Sequence, residues 1–462
     1  MELTFTYKTP GQRSDTLLLF FTGWGMDADT IAVSAHCCDV CVACDYRDFT
    51  FDDAPLRAYR NIVVVAWSLG VYVASKVIGP ASPLPIARRI AVNGTPYPVS
   101  PERGIAPSVY QGTADNLTEA SLLKFRRRMC GSSAEFSSFM ERKPRRSVEA
   151  LREELESISR HFAEHGNEAF AKWDTAIISE RDRIFLPEQQ HRGWAGNAWE
   201  VRSIDASHLP ADLAAIISQA VVDKELVVNR FSRKADSYDV NAAPQRRIAQ
   251  RLFELWRSVG FTPGGDILEI GCGTGAFTRI YHDELAPHSL TLNDICPPPR
   301  NLAYTRFECG DIESINFGTA RFDYVVSSSA IHWLTNPALT LRRAVDWLRT
   351  GGLLVVSTFG SRNLSEVAQA AGVSLFYDSV DKLTEALAEV ADVVVATDEL
   401  LTAHFGTPLE VLRHLKSTGV NALRHNRWTK AHLERFSSLY PRATDGSSPL
   451  TFNPIYIIAR KK

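Results

Sequence analysis

Apolar residues in this chain collect into short continuous runs, and most runs stop at a glycine, a serine or an aspartate. Runs of about four to eight such residues, bounded by turn formers, read as buried strands. In the first half they are T-L-L-L-F-F (16–21), the stretch from about Asp39 to Asp45, N-I-V-V-V-A-W, W-D-T-A-I-I-S-E and W-E-V-R-S-I-D. Helical spacing appears in V-Y-V-A-S-K-V-I (Val71–Ile78), in a polar stretch from about Asp115 to Phe170, and in D-L-A-A-I-I-S-Q-A-V-V, which ends near Val222. The second half repeats the alternation, with strands at Ile267–Ile270, Ser289–Asn293, R-F-E-C, F-D-Y-V-V-S-S-S and L-L-V-V-S-T-F. The last run, I-Y-I-I-A-R (Ile455–Arg460), is predicted as an edge strand. Strands alternating with helices predict an α/β chain of two domains, 1–222 and 223–462.

Polar residues set directly after these runs carry the candidate chemistry. The third run turns at Ser68, in A-W-S-L-G, and enters a helix. This is the nucleophile-elbow pattern of α/β-hydrolases, with Ala66 where the first glycine usually stands. The expected chain order is then serine, acid, histidine. Asp182 and His208 each sit in the loop just past a strand, on the edge where open α/β sheets gather their sites. His208 would take the proton of Ser68, and Asp182 would fix the imidazole tautomer. The backbone N–H groups of Trp24, in T-G-W-G-M-D, and of Leu69 are placed to donate to a developing oxyanion. Asp115, in Q-G-T-A-D-N, is a rival for the acid role. The insert at about 115–170 occupies the position of a helical lid. Its Arg126, Arg127, Arg128, Lys143, Arg145 and Arg146 are dense enough for a basic docking face or for a solvated helix surface.

In the second half, I-L-E-I-G-C-G-T-G-A (Ile267–Ala276) breaks from a strand into a glycine-rich turn, with a helix expected from about Ala276. Gly271, Gly273 and Gly275 permit a backbone approach that a β-carbon would forbid. Glu269 ends the strand, where a carboxylate can face a cationic or hydroxyl-bearing ligand. Asp294 ends the next strand, the usual place for a carboxylate that holds ribose hydroxyls. The run G-D-I-E (310–313) follows. Together these residues resemble the class I S-adenosylmethionine-dependent methyltransferases, which have a Rossmann-like fold. No G-x-G-x-x-G cradle for a pyrophosphate is present. The resemblance implies S-adenosyl-L-methionine as methyl donor. It also implies binding by Tyr238, Glu269, Gly271, Cys272, Gly273, Asp294, Asp311, Ile312 and Ser329, with Asp311 accepting from the adenine amino group. Ser327 to Leu334 would face the cofactor, with His332 and Trp333 beside it.

Two narrower resemblances follow. F-F-T-G-W-G-M-D, W-S-L-G-V, V-N-G-T-P-Y-P, Q-G-T-A-D-N-L and F-R-R-R-M-C are similar to the small esterases that cleave pimeloyl-acyl-carrier-protein methyl ester in biotin synthesis. R-F-S-R-K-A-D-S-Y-D resembles the first helix of malonyl-acyl-carrier-protein methyltransferases, with Phe231 and Tyr238 at its aromatic positions. V-L-R-H-L-K-S-T-G-V-N (Val411–Asn421) resembles a late helix of that family, where Arg413 and Lys416 would meet an acidic carrier protein or a substrate carboxylate. The pairing implies a bifunctional biotin-synthesis enzyme acting on acyl carrier protein as partner. An esterase fused to a methyltransferase for another small acid stays open at this point.

Composition narrows this picture without redirecting it. At 462 residues and 45% apolar content, the chain can bury more than one core. A net charge of -2 gives no global polyanion-binding character, and no N/D-P-P-Y/F motif of a base-flipping methyltransferase is present. No apolar run approaches the ~20 residues of a membrane span, and the first residues lack a signal-peptide pattern, so the expectation is a cytoplasmic protein. Of 8 cysteines, four cluster at Cys37, Cys38, Cys41 and Cys44, in a strand-like run without the knuckle a zinc site needs; no metal is expected.

Overall fold

The computed structural model describes residues 1–462 except 35, 167, 234–241, 299–300, 373 and 419–428. It divides into two compact units, Met1–Val221 and Val222–Lys462.

The first unit is built on seven strands: β1 (Glu2–Thr6), β2 (Thr16–Phe21), β3 (Asp39–Cys44), β4 (Asn61–Trp67), β5 (Ile86–Val92), β6 (Trp173–Ser179) and β7 (Ala198–Ile204). They lie in the order β1-β3-β2-β4-β5-β6-β7. β1 pairs antiparallel with β3, and all other neighbours are parallel. The central β4 is buried along its whole length, which is why it reads as an unbroken apolar run. The edge strand β7 alternates instead between half-buried and exposed positions over most of its length. β1, which the sequence pattern did not reveal, is short and half exposed; buried Asp39 helps anchor the chain after it by accepting from Lys8 N, Ser14 N and Tyr59 Oη.

The insert between β5 and β6 consists of helices Pro107–Asp115, Glu119–Met129, Ser133–Glu141 and Val148–His165. It begins eight residues before the expected Asp115, at a proline in the first helical turn. Thr118, Ser132 and Ser147 cap the last three helices by accepting from the backbone N–H three residues on. The long helix buries Leu151, Leu155 and Ile158 on one face, and Glu154 lies among them.

The second unit carries β8 (Asp266–Ile270), β9 (Ser289–Asp294), β10 (Arg306–Cys309), β11 (Phe322–Ser328), β12 (Leu348–Phe359), β13 (Ala391–Asp398), a separate pair β14 (Leu401–Phe405) and β15 (Ser448–Phe452), and β16 (Pro454–Lys461). The main sheet runs β10-β9-β8-β11-β12-β16-β13. Only β16 runs against its neighbours. This is a Rossmann-like doubly wound sheet whose order reverses beside β8, and ligands bind such sheets at that reversal. β16 corrects the edge-strand expectation: it lies between β12 and β13, with its first six residues buried. An unbroken apolar run marks a strand covered on both faces, whereas an edge strand tends to alternate. The helix after the glycine turn is Thr278–Leu285, two residues later than expected.

Candidate active sites

In the first unit, four strand ends converge. Ser68 follows β4 with φ +58°, a left-handed conformation that is costly for a serine and aims its hydroxyl out of the turn. The tight positions around it are glycines: a β-carbon on Gly70 would overlap the carbonyl oxygen of Thr22, and one on Gly94 would overlap that of Ser68. Position 66 lies within buried β4, where alanine fits, so the departure from the usual motif falls where space allows it.

His208 Nε2 lies 2.9 Å from Ser68 Oγ, and His208 Nδ1 lies 2.8 Å from Asp182 Oδ2. The Asp182 carboxylate is buried and fully engaged. Its Oδ1 accepts from the backbone N–H of Ile184 and Phe185, and its Oδ2 also accepts from Gln190 Nε2 at 3.1 Å. The His208 carbonyl accepts from Trp67 Nε1 and Asn93 Nδ2, so the loop that carries the imidazole is tied to β4 and to the end of β5. Asp115 is exposed on its helix, paired with Gln111, and takes no part in this cluster. The backbone N–H groups of Trp24 and Leu69 donate to no protein acceptor among the described residues, and both residues line the pocket over Ser68. That pocket has apolar walls from Tyr110, Phe125, Met129 and Leu155, with exposed Arg128 and Arg183 at its lining. Gln190 and Asn93 escaped the sequence reading, because an amide that orients a triad leaves no spacing signal.

The basic face of the insert needs correction. Arg126 is 7% exposed and donates to Pro144 O, and burial pushes its guanidinium pKa down. It shares a helix face with buried Leu122 and Met129, four residues before and three after. Arg146 pairs with Asp45 and Glu154. Arg127 and Arg128 are exposed, as are Arg413 and Lys416 on the helix Pro408–Ser417 of the second unit. The last residues of the late-helix resemblance, 419–421, lie outside the described residues.

In the second unit, a cavity of about 530 Å³ opens at the carboxyl ends of β8, β9 and β11. It is lined by Glu269, Gly271, Cys272, Gly273, Asp294, Asp311, Ile312 and Ser329, together with Phe231 and Trp333, whose rings meet edge to face at 5.8 Å. Tyr238 lies outside the described residues. Gly273 has φ +53° with open space where a β-carbon would point, so the loop leaves room at its tip. Gly273 N donates to Asp294 Oδ2 and Cys296 N to Oδ1, which fixes that carboxylate beside the cavity. Burial raises the pKa of Asp294, against these two bonds. Glu269 is almost fully buried; Thr278 Oγ1 and Tyr281 Oη donate to its Oε2 at 2.7 and 2.6 Å. Burial pushes its carboxyl pKa up from 4.5 to about 7 despite those bonds. A buried carboxyl facing a cavity this way gains from a cationic ligand, and the set of two acids and a glycine tip suits the ammonium and ribose of S-adenosylmethionine.

Asp311 Oδ2 lies 2.5 Å from Lys224 Nζ, which also bonds Glu313. Lys224 was not singled out in the sequence, because a lysine at a helix start resembles many surface lysines. His332 sits just behind the cavity wall against Trp333 and Phe359, and burial pushes its pKa down to about 3, so the ring is neutral. Among the described residues no group of three or more His, Cys, Asp or Glu side chains is gathered to hold a metal ion, and no helix is long and apolar enough to cross a membrane.

Comparison with known proteins places both halves. Residues 5–214 match the family model described as pimeloyl-ACP methyl esterase BioG, and residues 268–356 match a methyltransferase domain. The malonyl-[acyl-carrier protein] O-methyltransferase of Bacteroides fragilis is 38% identical over 461 residues, covering 96% of this chain and 93% of that protein. The protein of the same name from Haemophilus influenzae is 32% identical over 52% of this chain and 95% of its own length. The crystal structure of BioG from Haemophilus influenzae is 34% identical, covers 45% of this chain and 94% of that one, and superposes with a TM-score of 0.41. With a relative this similar over nearly the full length of both proteins, the chain belongs to the malonyl-[acyl-carrier protein] O-methyltransferase family, in a form that also carries the BioG-type esterase region.

Proposed function

We propose that the chain is a bifunctional enzyme of biotin synthesis. Its second unit methylates the free carboxylate of a malonyl thioester on acyl carrier protein, and its first unit later hydrolyses the pimeloyl-carrier-protein methyl ester. The division near residue 222 separates the two activities. The first unit is an α/β-hydrolase whose insert helices form the lid. What supports this most is the hydrogen-bonded chain Ser68–His208–Asp182, carried on the same polypeptide as a cavity with acids at two successive strand ends.

In the hydrolase, His208 removes the Ser68 proton as the oxygen attacks the ester carbonyl. Trp24 N and Leu69 N receive the developing oxyanion. His208 then gives its proton to the leaving methanol oxygen, and water hydrolyses the acyl-enzyme by the same steps. In the methyltransferase, S-adenosylmethionine supplies an electrophilic methyl group when bound. Glu269 would hold its ammonium, Asp294 its ribose, and Asp311 with Ile312 its adenine. The acceptor carboxylate is ionised at pH 7, so the protein needs only to align it and exclude water. Exposed Arg127, Arg128, Arg413 and Lys416 are offered to an acidic carrier protein. The chain works in the cytoplasm, where acyl chains grow on that carrier.

A paired assay tests the reading. Malonyl-carrier protein with methyl-labelled S-adenosylmethionine reports one half, and pimeloyl-carrier-protein methyl ester the other. Ser68→Ala should lose only hydrolysis, and Gly273→Arg only methyl transfer. If the wild type turns over neither substrate, the proposal is wrong.

A further inference from the structure

We propose that Glu154, on the insert helix Val148–His165, is a positioning residue for the oxyanion hole, so that this helix is a fixed strut of the catalytic site. The proposal rests on the esterase reading given above.

The loop Thr22–Asp27 leaves β2 and places Trp24 in the wall of the pocket over Ser68. Its first residue is held from the sheet, through Thr22 N to Ala43 O and through Tyr46 Oη to Thr22 O. The following residues are held from the insert. Trp24 Nε1 donates to Leu151 O at 2.9 Å, Gly25 N to Glu154 Oε2 at 3.1 Å, and Arg145 N to Asp27 Oδ2 at 2.7 Å. Gly25 has φ +72°, and a β-carbon there would press on Leu151 Cδ2, so the backbone lies against the helix. Glu154 also accepts from Tyr46 N at 2.8 Å, after β3. One buried carboxylate thus joins the oxyanion loop, the end of β3 and the insert.

A carboxylate is suited to that task because it accepts two backbone N–H groups and a cation at once. The cation is Arg146, which reaches Glu154 Oε2 at 2.8 Å and Asp45 Oδ1 at 2.9 Å. Burial raises the Glu154 pKa, and Arg146 together with the Tyr46 and Gly25 N–H groups opposes that rise, so the same partners that the carboxylate joins also favour its charged form. The peptide joining Trp24 to Gly25 is therefore gripped directly beside the Trp24 N–H. A displaced oxyanion donor slows the chemical step while leaving ground-state binding nearly intact.

The test compares wild type, Glu154→Gln and the double variant Glu154→Leu/Arg146→Met, which removes both charges together so that neither is left buried alone. Hydrolysis of the methyl ester is measured alongside affinity for an alkylboronate, whose tetrahedral adduct on Ser68 places an oxygen in the oxyanion hole. The folded double variant should lose roughly 10- to 100-fold in kcat and in boronate affinity together, with KM changed less than about threefold. Glu154→Gln offers one acceptor oxygen to two N–H donors and should fall between. A double variant that melts near wild type and keeps wild-type kcat and boronate affinity overturns the strut. If the double variant does not fold, Glu154→Gln decides: wild-type kcat and boronate affinity there overturn the strut equally. A wild type without Ser68-dependent hydrolysis or boronate binding overturns the esterase reading, and the strut with it.

Discussion

The buried carboxyl of Glu269 should make cofactor binding a proton-linked event. Moving its pKa from 4.5 to about 7 means that ionising it in the ligand-free unit costs about 3 kcal/mol more than in water. The folded form prefers the proton, so this penalty on stability is absent below 4.5 and fully present once pH rises through about 7. A ligand that carries an ammonium to the site prefers the ionised form, and its binding should expel the proton. With a carboxyl titrating at about 7, roughly one molecule in eleven is ionised at pH 6 and ten in eleven at pH 8, so affinity should rise about tenfold over that interval. The assay is calorimetric titration with S-adenosylhomocysteine in buffers of different ionisation enthalpy, which counts protons released per ligand bound. Near pH 7 the wild type should release about half a proton more than Glu269→Gln, whose side chain cannot ionise. Equal proton counts and equal pH slopes in the two proteins would refute the argument.

Gly70→Ala should abolish hydrolysis and lower the melting temperature, because its β-carbon collides with rigid backbone at Thr22, whereas Ala66→Gly should keep most of the activity; ester assays and thermal melts decide. Gln190→Met removes a donor from the Asp182 oxygen that holds His208, and kcat should fall at least ~10-fold with KM little changed. Lys224→Met leaves Asp311 and Glu313 without their shared cation, so S-adenosylmethionine affinity should fall severalfold, as direct titration would read.

What could be read from the residues follows a physical divide. Ser68, Asp182, Glu269 and Asp294 were legible because each stands just after or at the end of a buried apolar run, and such runs announce their own ends; His208 was legible because it follows the last strand of the unit in the serine, acid, histidine order. Gln190, Asn93, Glu154 and Lys224 were not, because their roles depend on partners between 8 and 129 residues away along the chain. Arg126 was misread because a triplet of arginines on a helix points three ways, and only the flanking Leu122 and Met129 tell which one faces inward. The place of β16 was missed for a related reason: strand order is set by packing across the sheet, while the pattern along the chain reports burial alone.

That place in the sheet bears on how the protein is made. β12 and β13 are synthesised first, yet each must wait for residues 454–461 before its facing edge is paired. Until then the second unit carries a gap with two unpaired strand edges, the kind of surface that attracts other chains. In the first unit the only strand inserted between earlier ones is β3, made soon after β1 and β2, and β7 completes the sheet well before residue 221 is added. During translation the hydrolase half should therefore be able to fold on the ribosome while the methyltransferase half still depends on a chaperone, and protease resistance of stalled nascent chains should appear in that order.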